Sequence, residues 1–131
     1  MAIPKQELSA AEWEIMQTIW DGAGPMTVRE VLDRAYPNAE KAYTTVQTLM
    51  NILVDKGFLK RKKVGIVNSY SPAVSREKVL RKSLSTLASR MFQGSFGAMA
   101  SFLVSSAPLR PEEIQALKKL LDEQSKEGKN G

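Results

Sequence analysis

The sequence predicts a mainly α-helical fold carrying one small β-hairpin, and three observations support it. Apolar residues recur at helical spacing along most of the chain, two capping boxes mark helix starts, and one stretch around Gly65 switches to short strand-like runs. With 131 residues and 43% hydrophobic content, the chain can form one modest domain or two small ones. Its breaks divide it into an N-terminal unit, residues 1–72, and a C-terminal helical unit, residues 73–131.

The first helix starts at a capping box. Ser9 can accept from the amide of Glu12 while Leu8 packs on Trp13, and Trp13, Met16, Ile19 and Trp20 then follow at helical spacing until "DGAGP" breaks the run. The pattern repeats with Met26, Thr27, Glu30 and Val31, which start a short helix of about nine residues whose Val28, Val31, Leu32 and Ala35 face inward. "YPN" ends it.

A third helix starts at Ala42 or Tyr43, with Val46, Leu49, Met50, Leu53 and Val54 forming one buried stripe. Gly57 stops it, and Lys56 is placed well against the negative end of the helix dipole. "FLKRKKV" and "IVNSYS" are the two arms of a hairpin around Gly65, although the turn lacks an Asn-Gly signal to fix its register.

Beyond Pro72, Ser75 caps a long helix carrying Val79, Leu84, Leu87, Met91 and Phe92, and Ser95 caps a shorter one. The segment "FGAMASFLVSS" is nearly all apolar or small and calls for burial. The last helix, residues 111–124, places Ile114, Leu117, Leu120 and Leu121 on one side, and "SKEGKNG" reads as a frayed tail.

The absence of Cys and His removes thiolate and imidazole chemistry, disulfides and the usual zinc or copper ligands. No cofactor is implied, and no nucleophile and base converge: Glu112 and Glu113, adjacent on a helix, diverge. An enzyme is therefore not expected. The N-terminus lacks the pattern of a secretion signal and no apolar run is long enough to cross a bilayer, so a cytoplasmic protein without membrane contact is expected.

Charge is unevenly distributed. Residues 1–40 hold three cations against seven anions, residues 41–90 hold eleven against two, and residues 91–131 hold five of each. The excess lies in and around "YTTVQTLMNILVDKGFLKRKKVG", where an uncharged polar helix adjoins the four cations Lys60, Arg61, Lys62 and Lys63. Opposite the buried stripe of the third helix lie Thr44, Thr48, Asn51 and Asp55, with Gln47 on one shoulder and Thr45 and Ile52 on the other. Polar residues on an exposed helix need no function. Here, however, three short helices precede a hairpin in winged helix-turn-helix order, in which the third helix enters the major groove and the hairpin follows a phosphate strand. Short amide and hydroxyl side chains suit base edges, and the cations suit phosphate. The reading is double-stranded DNA, contacted by Tyr43, Thr44, Thr45, Gln47, Thr48 and Asn51 on the helix and by Lys60, Arg61, Lys62 and Lys63 on the wing.

One winged helix reads few base pairs, so selective binding calls for two copies. Leu84, Leu87, Met91, Phe92, Phe96, Met99, Phe102, Leu103, Ile114, Leu117 and Leu121 are the candidates for a homodimer interface, being more apolar than a thin helical layer can bury.

"LSAAEWEIMQTIW", "VREVL", "AYTTVQTLMNILVDKGFLKRKKVG", "YSPAVSREKVL", "MFQGS" and "PEEIQALKKLLDE" together resemble the penicillinase-repressor family, the BlaI, MecI and CopY group. The resemblance implies a dimeric transcriptional repressor whose N-terminal winged helix binds palindromic operators and whose C-terminal helices dimerise. Three departures stand out. Ile52 replaces a residue commonly basic in the family, no cysteines match those of the copper-responsive members, and Arg110 occupies a cap position where Ser is usual. Penicillinase-type members are inactivated by a regulatory protease at an Asn-Phe bond. Counting from Gly94, the counterpart is the Phe102-Leu103 bond, and the Asn is missing. Two alternatives stay open at this point: a protein-interaction adaptor built on a winged-helix fold, and a ligand-sensing repressor.

Overall fold

The computed structural model describes residues 3–130, with side chains described for residues 3–127. The elements run α1 (Ala10–Asp21), α2 (Val28–Ala35), α3 (Tyr43–Lys56), β1 (Leu59–Val64), β2 (Val67–Pro72), α4 (Arg76–Met91), α5 (Phe96–Ser106) and α6 (Pro111–Asn130). The expected mainly α fold with a hairpin wing is thus the observed one.

Both predicted capping boxes form. The Ser9 hydroxyl accepts from the Glu12 amide at 3.2 Å while the Glu12 carboxylate accepts from the Ser9 amide at 2.7 Å. Thr27 and Glu30 repeat the exchange at 3.2 and 3.0 Å. Gly57 ends α3 with φ 91°, the left-handed conformation expected of it.

One continuous core joins α1, α2, α3 and the hairpin. Ile15, Met16, Ile19, Val31, Val46, Met50, Leu53 and Tyr70 are fully buried within it. In α1 the inward face is centred on Ile15, Met16 and Ile19, so the expected pair Trp13 and Trp20 sits half-buried at its edge with rings 5.9 Å apart. In α3, Leu49 and Val54 likewise flank the stripe rather than fill it.

The hairpin pairs antiparallel from Leu59 with Pro72 to Val64 with Val67. Its two-residue loop, Gly65 and Ile66, has positive φ (67°) only at the glycine. That is the sign pattern of a type II′ turn, which wants Gly first and matches the strand twist; it fixes the register that the missing Asn-Gly left open. A bridge absent from the sequence reading docks the hairpin: Met26 and Tyr70 exchange backbone hydrogen bonds at 2.9 and 2.8 Å. A two-stranded hairpin alone is marginal in water, so this anchor and the buried Phe58, Leu59 and Tyr70 hold it in place.

The first compact unit extends to Leu84, within α4. The reason is burial. Val74 and Val79 join the core, the Trp20 indole Nε1 donates to the Val74 carbonyl at 3.1 Å, and Arg76 Nε donates to Gln17 Oε1 at 3.1 Å.

The second unit, from Ser85, contains the rest of α4 with α5 and α6. It buries Ala88 and Met99, and Phe92 faces Phe102 with ring centroids 6.0 Å apart. The α5 segment expected to be buried is mostly exposed in the single chain: Phe96, Phe102, Leu103 and Val104 are each more than half exposed, because too few helices surround them. Helix α6 runs to Asn130, into the segment read as a frayed tail, whose last residue, Gly131, lies outside the described residues. Among the described residues no helix is long and apolar enough to cross a membrane.

Candidate nucleic-acid interface

Helix α3 presents its polar residues as two rows. Tyr43, Gln47 and Asn51, four residues apart, form the row nearer the hairpin; Thr44, Thr48 and Ile52 form the outer row, with Thr45 beside it. The rows differ in what they are free to do.

In the inner row, Asn51 is already engaged. Its Oδ1 accepts from Arg61 Nη1 at 2.8 Å and from the Tyr70 hydroxyl at 2.9 Å. Asn51, expected from the sequence to read bases, and Arg61, expected to contact phosphate, together tie the helix to the wing. Tyr43 and Gln47 line a shallow cleft of about 160 Å³ shared with Val28, Ile66, Val67, Asn68 and Tyr70. In the outer row, the Thr48 hydroxyl donates to the Thr44 carbonyl at 2.9 Å. Its proton is used internally, which leaves its lone pairs and methyl group pointing outward. Thr44, Thr45 and Ile52 are exposed.

Strand pairing sorts the wing's cations. Leu59, Arg61 and Lys63 share one face with Pro72, Tyr70 and Asn68, while Lys60 and Lys62 lie on the other with Ser71 and Ser69. All four cations are exposed, and among the described residues none is paired with a carboxylate. The cause is compositional: no acidic residue lies between Asp55 and Glu77.

Three supports escaped the sequence reading. The Arg29 guanidinium stacks 5.2 Å from the Tyr43 ring centroid, joining α2 to the start of α3. Lys41 lies 5.5 Å over the Tyr36 ring in the turn between those helices. At the other end of α3, Lys56 Nζ donates to the buried Glu12 carboxylate at 2.8 Å and so fixes α3 against α1. Burial pushes the Glu12 carboxyl upward, but the bonds from Lys56 and from the Ser9 amide and hydroxyl outweigh it and hold the carboxyl below its ordinary range. The charges of Lys56 and Glu12 are visible in the sequence, but their meeting depends on the α1–α3 crossing. Tyr36, buried with its hydroxyl unpartnered, has its pKa raised by burial and by the nearby charges of Glu14 and Glu40.

A three-helix core, a third helix with an exposed polar face and a basic hairpin without carboxylate partners among the described residues define a winged helix-turn-helix DNA-binding protein. Over residues 8–123 the chain matches the penicillinase repressor family. It is 26% identical over 126 residues to the penicillinase repressor of Staphylococcus aureus, covering 96% of this chain and 99% of that one. It is also 26% identical over 116 residues to the methicillin resistance regulatory protein MecI of Mammaliicoccus sciuri, covering 88% and 94%. Among solved structures, the monomeric form of Bacillus licheniformis BlaI in complex with the blaP half-operator is 30% identical, with a TM-score of 0.48 over 59% of this chain and 92% of that one. The chain belongs to the penicillinase repressor family and is a DNA-binding transcriptional repressor.

Proposed function

We propose that the protein acts as a homodimer on palindromic operator DNA, each α3 reading one half-site in the major groove and each wing holding the adjacent phosphate strand. The observation that carries this reading is the pairing of an exposed, neutral α3 face with unpaired cations on the hairpin fixed beside it. Thr44, Thr48 and Gln47 discriminate bases, with Thr45 and Tyr43 at the edges. Lys60, Lys62 and Lys63 contribute contacts that are blind to sequence. Asn51 and Arg61 act by positioning, because each already bonds the other.

Residues 73–131 serve as the dimerisation region. Leu84, Leu87, Met91, Phe96, Phe102, Leu103, Ile114, Leu117 and Leu121 are all exposed in one chain, which favours burial against a second copy. Phe92 and the buried Met99 then support the interface from beneath. Cleavage by a regulatory protease at the Phe102-Leu103 bond would first require α5 to open, since the bond lies inside a helix rather than at an exposed loop tip.

Selection from a randomised duplex library tests the proposal. The protein should enrich an inverted repeat whose half-sites lie about one helical turn, or a multiple of it, apart. Enrichment of a single unrepeated motif would remove the dimer from the account, and no enrichment would remove sequence-specific binding.

A further inference from the structure

The tip of the wing is apolar. Ile66 is 93% exposed, the highest value among the exposed large hydrophobic residues, and its neighbours Val64 and Val67 are 63% and 48% exposed. Elsewhere among the described residues of the first unit no large hydrophobic side chain is more exposed than Leu84 at 44%, so Ile66 and Val64 stand apart from the rest of its surface. It is also rigidly presented. The II′-type turn at Gly65 puts Ile66 at the apex of a hairpin anchored by the Met26–Tyr70 bridge and by the Asn51 contacts to Arg61 and Tyr70.

Two observations say what this tip meets. Among the described residues none of the four cations that lead up to it has a carboxylate partner, and three of them, Lys60, Lys62 and Lys63, are left to meet a polyanion. Ile66 and Val67 also border the same cleft as Tyr43 and Gln47, which places the tip on the side of the molecule used by the reading helix. At about 160 Å³ that cleft is below the size of ordinary small-molecule pockets. In the winged helix-turn-helix arrangement α3 enters the major groove and the hairpin follows a phosphate strand, so a tip beyond the hairpin's cations is directed past that strand toward the adjoining minor groove.

We infer that Ile66, flanked by Val64 and Val67, is an apolar minor-groove wedge that packs against deoxyribose and base edges beside each half-site. The inference rests on the DNA-binding reading above. It adds specificity that α3 does not supply: a branched apolar wedge favours flanking steps that open or kink easily, chiefly pyrimidine–purine steps, over stiff ones.

The test uses the full-length protein and the best duplex recovered from the randomised library. Ile66→Ser should weaken binding by roughly ten- to hundred-fold, the scale of one branched side chain returned to water. Its salt dependence should stay that of the wild type, because no phosphate contact is lost. Ile66→Val should retain most of the affinity. Replacing a flanking TA step by GC should weaken the wild type more than Ile66→Ser. Since Ile66 is almost fully exposed, thermal unfolding followed by circular dichroism should be unchanged in both variants. Wild-type affinity and flank preference in Ile66→Ser would overturn the wedge while leaving DNA binding intact. Failure of the wild type to bind any duplex would instead overturn the reading on which the wedge rests.

Discussion

Asn51 shows how a residue suited to base recognition can be committed to architecture. One carbonyl oxygen accepts from both Arg61 and Tyr70, and Tyr70 is fully buried, so Asn51→Ala leaves a buried hydroxyl without its partner. We expect a loss of about 1 to 3 kcal/mol in urea unfolding, with DNA affinity falling alike for all sequences. Thr48→Ala should behave differently. It removes an outward acceptor and methyl group from the reading face, so it should change base preference by about 1 to 3 kcal/mol at one position of the half-site. Competition binding against single-base operator variants separates the two behaviours. Ile52 lies exposed in the same row as Thr44 and Thr48, and Ile52→Lys should tighten binding to every duplex and steepen the salt slope by about one unit. Tyr36→Phe deletes a buried hydroxyl that has no partner and keeps the ring beneath Lys41, so it should not lower the urea midpoint.

Among the elements, α3 matters most, and its angle is set from both ends. At its C-terminal end the Lys56–Glu12 pair joins it to α1, and Lys56→Met would strand a buried carboxylate at a cost of about 3 kcal/mol in unfolding experiments. The pH dependence follows from the lowered folded-state pKa of Glu12. Its contribution is complete above the unfolded value of about 4.3 and fades as pH falls through the lower folded value. Glu12→Gln should therefore flatten the acid limb of a stability–pH curve. The helices and the exposed polar face of α3 were legible in the sequence because both capping boxes, the stripe of Val46, Met50 and Leu53, and Gly57 are local signals. The Met26–Tyr70 bridge, the Glu12–Lys56 pair and the engagement of Asn51 were not, since each joins residues far apart in sequence. Burial of Val74 and Val79 was hidden for the same reason, since it depends on a core assembled from other elements.

At the scale of the whole molecule, the contrast between the two units is the informative feature. Among the described residues, the first buries most of its large apolar side chains and exposes those of the wing tip furthest, whereas the second exposes most of its own. In the proposed dimer those side chains form the interface, and Phe96→Asp combined with Leu121→Asp should convert it to monomer in sedimentation equilibrium. Operator affinity should then fall by about a hundredfold or more as the second half-site loses its tether. The most direct test of a dimeric, operator-reading repressor is an equilibrium titration of the wild-type protein against a selected palindrome and a scrambled duplex across a salt series. The palindrome should be preferred by at least about a thousandfold, with log K falling linearly by about 0.9 per phosphate contact as log salt rises. Equal affinity for the two duplexes, or binding indifferent to salt, would contradict the account.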